Sequence, residues 1–369
     1  MPQIFDDAAE CYRLACLGIR RVIVAAGGAG QIPEFATQGL GVRRTVGACG
    51  DGEDVDGHID RARNPRDLLC RVGAPIVRAV GDHQHGTSLP RVLAHDTSRP
   101  CYRVVRTLLP EEQIGIGASK FGGSPDLPSG FAWPEASDIK KPETMEFVGQ
   151  VRLSDLPEPL LEPVPENGML SFFTRWSEGR VFYFPEGTAL QRTEGPHAQV
   201  APAPSGFWQN LRAEFKRRPN VRHTYRAGSL KFEAALSPVD GNSSMFEQLN
   251  HSEADSEAYF ELCEAWRETD GAEVTLKHQM FGHASPVQNE MELECDFRRR
   301  NEKPRWDLPH DRFVSAARDW VLLLQVDSDD GKTGPGWMWG DLGIVYFWIH
   351  RQDLVNRAFD RVIVIEQCH

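Results

Sequence analysis

The first 118 residues of this 369-residue chain contain no Lys and no Trp, and no part of the chain has an apolar run long enough to span a membrane. Basic residues are in deficit as well. The 41 Lys and Arg residues face 53 Asp and Glu residues, and the formal charge of -12 argues against nucleic acid or an anionic membrane as the main partner. The eight Cys residues include no Cys-x-x-Cys pair, which excludes a zinc knuckle and a disulfide framework. The first ten residues lack a basic cluster, so we expect no targeting signal and a cytoplasmic protein.

Several catalytic and cofactor motifs are also missing or incomplete. The sequence has no Gly-x-Ser-x-Gly elbow and no His-Glu-x-x-His helix. Gly331-Lys332-Thr333 lacks the earlier Gly of a phosphate-binding loop, and the acidic residues 327–330 are not followed by the Gly and Glu of a calcium loop. We therefore expect no metal and no cofactor. Enzyme activity is left open, although the incomplete motifs favour a protein without it.

The composition of the chain changes near residue 118. Residues 1–118 hold 14 Arg and 14 acidic residues, so the whole charge excess falls within residues 119–369, together with all nine Trp. We predict an Arg- and Gly-rich extension, irregular or partly disordered, over 1–118 and a folded domain over 119–369. Within the extension, the glycine turn at 27–30 lacks the third Gly of a dinucleotide site, and residues 82–85 favour a polar turn over a metal site.

The folded domain contains an internal repeat. An apolar run ends in Gln150-Val151 and another in Gln325-Val326, and each is followed 18 residues later by a Gly that opens an aromatic run, at Gly168 and Gly343. Each copy therefore predicts a strand, a loop and a second strand. A Gln repeated at the end of a buried strand is more typical of a hydrogen-bonding fixture than of a catalytic group.

Helices are predicted between and beside these strands. A capping box at Ser252 precedes an apolar stripe, Ser285-Pro286 favours a helix start, and residues 309–319 predict a further helix. Residues 181–184, 230–236 and 362–366 are typical of further strands. Because helices and strands segregate without regular alternation, we predict an α+β fold, rich in β-structure and built from two related halves by internal duplication.

The domain also resembles a known family. It is similar to the YwqG-like family of bacterial proteins, a domain of unknown function, over about 250 residues. The resemblance rests on two groups of motifs, one in each half: Ser119 to Gly123, Pro125, Leu127-Pro128, Trp133-Pro134, Gly149-Gln150 and Gly168 to Phe173, then His278, Gly282-His283, Gln288, Leu322 to Asp327, Met338 to Gly343, Ile349, Asp353-Leu354 and Gln367-Cys368. The resemblance implies a compact, duplicated α+β domain of the cytoplasm, and it supplies no catalytic residues.

A small polar set near the second copy gives the candidate site residues. His278, His283 and Asp341 are the catalytic candidates, because a carboxylate beside a His sets its tautomer and its proton affinity. Trp339 and Gln288 are the candidates for ligand binding, since an indole offers flat apolar area. A structural role in capping, packing or backbone hydrogen bonding is the alternative for each of them.

Two functions are compatible with these observations. The first, which we favour, is a binding or interaction module, connected with stress or a toxin, whose acidic surface meets a basic protein. The second is a hydrolase or small-ligand-binding enzyme with a cleft between the two halves. The sequence specifies neither the partner or substrate nor the oligomeric state.

Overall fold

The computed structural model describes residues 97–136, 143–196, 225–249, 252–268, 277–331 and 333–369. The glycine turn at 27–30 and the polar turn at 82–85 lie outside these residues, as does most of the predicted extension. All the described residues belong to one compact unit.

A single ten-stranded antiparallel sheet dominates the fold. Its strand order is β14-β13-β12-β11-β1-β10-β2-β6-β7-β8. Two small sheets pair β3 with β9 and β4 with β5. The strands are β1 (Arg99–Leu108), β2 (Lys120–Phe121), β3 (Asp126–Pro128), β4 (Glu135–Ala136), β5 (Glu143–Thr144), β6 (Glu146–Arg152), β7 (Met169–Arg175), β8 (Glu178–Phe184), β9 (Leu190–Arg192), β10 (Gly228–Ser237), β11 (Gln279–Met280), β12 (Trp320–Asp327), β13 (Ile344–His350) and β14 (Ile363–Gln367).

The sheet curls into a nearly closed barrel. Its edge strands β8 and β14 meet where Gly179 packs on Val364, leaving no room for a Cβ on the glycine. Arg298 bridges the two edges, since its Nη1 donates to the carbonyls of Ser177 and Val364 at 3.1 and 2.8 Å. Side-chain packing and this guanidinium thus hold together two edges that share no strand pairing in the described part of the chain.

The predicted α+β class is wrong, because this sheet makes the fold mainly β. The described helices are α1 (Ser244–Glu247), α2 (Glu253–Glu268), α3 (Glu292–Arg299), α4 (His310–Asp319) and α5 (Arg351–Val355). The helices α3 and α4 only cover the outer face of β12 to β14, where they share an apolar cluster with those strands. Counting helices along the sequence could not reveal that consecutive hairpins pair into one curled sheet.

Most of the predicted elements are confirmed, with two exceptions. The capping box forms, since the Asp255 N–H donates to Ser252 Oγ, and α2 follows it. The helix expected from Ser285-Pro286 instead begins at Glu292. The N–H groups of Val287 and Gln288, which a first helical turn would leave free, donate to the Gln367 side chain. The sheet also begins earlier than residue 119, because β1 pairs along its whole length with β10.

The two halves correspond in topology. The long strands β1 and β10 pair with each other at the centre of the sheet, and each also pairs with the short second strand of the other half: β1 with β11 and β10 with β2. The register shifts at Phe147/Gly149 in β6 and at Leu322/Leu324 in β12, which are 175 residues apart. Two consecutive residues with positive φ follow β2 at Gly122-Gly123 and β11 at Phe281-Gly282.

The repeated glutamines make corresponding hydrogen bonds. Gln150 Nε2 donates to the Ala118 carbonyl and its Oε1 accepts from Asp126 N, both at 2.9 Å. Gln325 Nε2 donates to the Lys277 carbonyl at 2.7 Å, and its Oε1 accepts from the N–H of Ser285 at 3.0 Å. Both side chains are fully buried. The prediction of a hydrogen-bonding fixture is thus confirmed for both.

Different segments cover the two ends of the barrel. Strands β6 and β12 are antiparallel, because an odd number of antiparallel pairings separates them in the sheet. Residues 153–164, which follow β6, therefore cover one end, and residues 328–343, which follow β12, cover the other. The first segment contributes Leu153, Leu156 and Val164 to the core, and we call its end the apolar end. The second contributes Trp337 and Trp339. We call its end the polar end, for the charged side chains described next.

Candidate functional site

The polar end gathers ionisable side chains that come from six different strands or strand ends. Its principal members are Arg106, Glu146, Tyr225, His278, Asp329 and Glu366. They sit beside Trp337 and Trp339 from the covering segment. Among the described residues, this is where inward-facing charge interrupts the apolar filling of the barrel, so it is the candidate functional site.

Glu146 is a carboxylate with strong partners. It begins β6, and Arg175 Nη1 from the end of β7 donates to its Oε1 at 2.9 Å. The Tyr225 hydroxyl donates to its Oε2. Burial, followed by the charge of Glu146, raises the pKa of Tyr225 well above its usual value. Tyr225 therefore remains a protonated donor at neutral pH, and Glu146 is held in place from two sides.

Glu366 is a carboxylate without such partners. It lies on β14 next to Val364, which faces the barrel interior, while Ile365 between them packs on the outer face, so Glu366 faces inward. Within the described part of the chain, no hydrogen bond or ion pair reaches the side-chain carboxylate of Glu366. Burial, and then the charge of Glu146, raises the pKa of Glu366. Among the described residues of the polar end, the carboxylate of Glu366 thus has no cationic partner.

Three aromatic side chains line this end. Trp337 and Trp339 stack with ring centroids 5.6 Å apart, and Tyr225 meets them edge-on at 5.3 and 6.1 Å. Trp337 Nε1 donates to the Asp327 carbonyl at 2.9 Å. Trp339 is 5% exposed, and its buried Nε1 has no acceptor among the described residues. A buried indole donor without an acceptor is uncommon, and the Trp339 donor lies within the aromatic cluster of the polar end.

His278 lies on the wall of the same end, but both its nitrogens face protein groups. Its Nδ1 accepts from the Asp327 N–H at 3.0 Å, so the neutral ring carries its proton on Nε2. That nitrogen lies 3.9 Å from Asp329 Oδ2, which also accepts from Arg106 Nε. Burial opposes the charge of Asp329, but His278 and Arg106 outweigh it and hold the pKa of this carboxyl below its usual value. The bond from Asp327 orients His278, and its Nε2 is buried without a hydrogen-bond partner among the described residues.

The other candidates from the sequence lie apart from this cluster. His283 is buried, its Nε2 lies 2.9 Å from the Thr97 carbonyl, and burial lowers its pKa to about 3. Asp341 is exposed, and its carbonyl accepts from the N–H of His369. Gln288 is exposed and donates to the Cys368 carbonyl at 2.6 Å. Of the five candidates, the structure thus brings only His278 and Trp339 into one aromatic cluster, through Trp337.

Sequence reasoning missed Glu146, Tyr225 and Glu366, which come from distant parts of the chain. A signal was available for Glu366. The strand Ile363–Gln367 opens with three consecutive apolar residues, and Glu366 stands at a position whose neighbour on the same face, Val364, is core. A carboxylate on the buried face of a strand is costly, so its presence indicates a function or a partner.

A second buried ionic group lies in the first half. Lys120 is fully buried, and its Nζ lies 3.1 Å from Glu111 and 3.7 Å from Asp126. Arg192 Nε donates to Asp126 at 2.8 Å. Burial lowers the pKa of Lys120. The corresponding residue of the second half, Gln279, donates to the His283 carbonyl as Lys120 donates to the Ser124 carbonyl. The lysine therefore occupies a structural position, and its ammonium is fully enclosed by partners.

Two further properties bear on the site. No three His, Cys, Asp or Glu side chains within the described ranges are placed to hold a metal ion. None of the helices in those ranges is both long enough and apolar enough to cross a membrane.

A protein-family model matches about two thirds of the chain. The family described as a domain of unknown function (DUF1963) matches residues 119–368. No curated protein matches the chain.

Proposed function

Because the chain belongs to the DUF1963 family, which is described only as a domain of unknown function, we propose its function from the site alone. It is a binding module whose polar end takes the cationic side chain of a basic partner protein in the bacterial cytoplasm. The observation that carries this proposal is Glu366, an inward-facing carboxylate without a cation among the described residues. We also propose that the chain is related to the YwqG-like family.

The surroundings of Glu366 suit a cation. Of the three carboxylates at this barrel end, Glu146 is paired with Arg175 and Asp329 with Arg106, whereas Glu366 has no cationic partner among the described residues. The stacked pair of Trp337 and Trp339 presents an electron-rich wall beside them, which favours a guanidinium or an ammonium group. The net charge of -12 would speed the approach of a basic protein.

The alternative of a hydrolase built on His278, His283 and Asp341 stays a prediction with less support. Such a reaction needs a base whose nitrogen is free to reach a substrate. His278 accepts from the Asp327 N–H through Nδ1, and its Nε2 is buried 3.9 Å from Asp329. His283 contacts the Thr97 carbonyl, and Asp341 is exposed. The three side chains have separate partners.

We also infer that the two halves arose by internal duplication. Corresponding bulges, corresponding pairs of left-handed residues and corresponding glutamine bonds support this origin. On this view the ancestral repeat supplied the barrel, and the polar end is a later specialisation of one of its two ends.

A titration with matched small probes tests the binding function. Blocked arginine amide and blocked citrulline amide have nearly the same shape and differ in charge. We expect the full chain to bind the arginine probe at least about tenfold more tightly in calorimetry, with weakening at high salt. Glu366→Gln should remove this preference, whereas Glu186→Gln, at an exposed turn after β8, should preserve it. Equal affinity for the two probes would refute the proposal.

A further inference from the structure

Two exposed apolar side chains stand on unfavourable backbone. Trp176 is 60% exposed with φ of 57°, and Leu342 is 58% exposed with φ of 50°. Left-handed backbone disfavours any residue with a Cβ, and Gly or Asn normally takes such positions. Neither side chain is buried enough for packing to offset this cost. Their presence therefore indicates a contact made outside this chain.

Both residues lie in turns at the polar end of the barrel. Trp176 directly follows Arg175, whose guanidinium binds Glu146 and lies 4.9 Å from the centre of the Trp176 ring. Leu342 lies near the end of the segment that carries Trp339, and Met338 on the same segment is 44% exposed. We call Trp176, Met338 and Leu342 the rim. Exposed apolar groups thus accompany the two carboxylates at one end of the barrel.

We propose that the rim docks a peptide segment of a partner protein in which a Lys or Arg is flanked by large apolar residues. This inference rests on the proposed function, since the basic residue enters the polar end and its neighbours cover the rim. Charge complementarity identifies the occupant. An end that combines the unpaired carboxylate of Glu366 with exposed apolar groups on two of its turns matches a segment that is basic in the middle and apolar on both sides. The same carboxylates oppose an anionic membrane surface.

Three blocked pentapeptides separate the two parts of the proposal. The first carries Leu-Arg-Leu at its centre, the second Ser-Arg-Ser and the third Leu-citrulline-Leu. We expect the full chain to bind the first at least about tenfold more tightly than either of the others, because each substitution removes one of the two interactions. The citrulline peptide tests the proposed function, and the serine peptide tests the rim.

Leu342→Gly and Trp176→Gly test the rim from the protein side. Glycine is favoured at positive φ, so both variants should fold, and circular dichroism checks this. Each variant should bind the Leu-Arg-Leu peptide about fivefold or more weakly than the wild type, and its affinity for the Ser-Arg-Ser peptide should be unchanged. Ile116→Gly is the matched control. Ile116 is 49% exposed in a turn at the apolar end, where Arg152 reaches its carbonyl, and its replacement should leave both affinities unchanged.

The outcomes distinguish the rim from the polar end. Equal affinities for Leu-Arg-Leu and Ser-Arg-Ser, or equal losses in Leu342→Gly and Ile116→Gly, would overturn the rim while leaving the cation site intact. Equal affinities for the arginine and citrulline peptides would overturn both. Sedimentation of the chain with phosphatidylcholine or phosphatidylserine vesicles, lost in Trp176→Gly, would instead assign the rim to a membrane and contradict the proposal.

Discussion

At the polar end Glu146 faces Thr174 across β6 and β7, whereas the corresponding pair at the apolar end is Val321 and Ile349. Glu366 likewise pairs with Val345, and the residue that corresponds to Val345 in the first half, Leu170, pairs with Tyr183. Two carboxylates therefore stand where the related end has a valine and a tyrosine. The barrel does not require charge at these positions, and the charge of the polar end points to a purpose other than folding.

The same comparison separates what both halves need from what only one has. Gln150 and Gln325 make the same pair of backbone contacts. Ser119 and His278 also correspond, because Ser119 Oγ accepts from the Arg152 N–H at 2.8 Å and His278 Nδ1 accepts from the Asp327 N–H at 3.0 Å. The histidine thus replaces a serine as an acceptor. This correspondence explains its burial without a catalytic role.

The largest effect is expected from placing charge at the apolar end. Val321→Glu puts a carboxylate at the position that Glu146 holds at the other end, whereas Arg175 and Tyr225, which hold Glu146, lie at the polar end. We expect the free energy of unfolding to fall by about 4 kcal/mol in urea denaturation. Val321→Ala should cost about 2 kcal/mol. If Val321→Glu and Val321→Ala lowered the free energy of unfolding equally, the apolar end would tolerate a carboxylate as the polar end does.

A loss of about 3 kcal/mol is expected from Asp126→Ala. It removes the fully buried one of the two carboxylates that Lys120 and Arg192 share, and only the partly exposed Glu111 remains to both. The corresponding change, Ser285→Ala, should cost under about 1 kcal/mol, because Gln325 uses only the backbone N–H of this residue. Urea denaturation of both variants checks the difference. A stable Asp126→Ala would mean that this ionic group is dispensable.

Replacing either of the two repeated glutamines should lower the stability of the protein by nearly the same amount. Gln150→Leu and Gln325→Leu each leave a backbone carbonyl and a backbone N–H without a partner. We expect each to lower the free energy of unfolding by about 2 kcal/mol, with Gln150 slightly higher because it also donates to Asp126 Oδ2. If one replacement were neutral, the two halves would not share this fixture.

The smallest effect concerns the pH dependence of stability. The pKa of Glu366 is raised in the folded protein by burial and by Glu146, so the folded state binds more protons than the unfolded state above about pH 4.5. Ionisation of Glu366 therefore lowers stability as the pH rises through its folded pKa. Glu366→Gln should be more stable than the wild type by about 0.5 kcal/mol at pH 7 and equally stable near pH 4. Thermal unfolding across this range measures the difference, and a constant gap would contradict this account.

The sequence carried the hairpins and the repeat but not their assembly. The runs ending in Gln150 and Gln325 predicted β6 and β12, because local apolar patterning is enough to identify a buried strand. The sequence could not show that β1 lies between β10 and β11 in the sheet, since that pairing joins residues far apart along the chain. The Arg-rich composition around β1 also concealed the buried alternation of Tyr102 and Val104.

The site was predicted only in part, for a related reason. Trp339 and His278 were identified because they lie in short, distinctive motifs. Glu146, Tyr225 and Glu366 share no motif, and only the curling of the sheet brings them together. A pattern that extends across a barrel end has no fixed spacing along the chain.

The central claim is that the Glu366 carboxylate binds a cation supplied by a partner. Carbon-13 NMR of the full chain, labelled at the glutamate side-chain carboxyls, can follow its titration, with Glu366→Gln identifying the signal. We expect a pKa above the usual glutamate value in the free protein and a clear decrease when blocked arginine amide saturates the site, but not with citrulline amide. A Glu366 titration that arginine and citrulline leave equally unchanged would contradict the account.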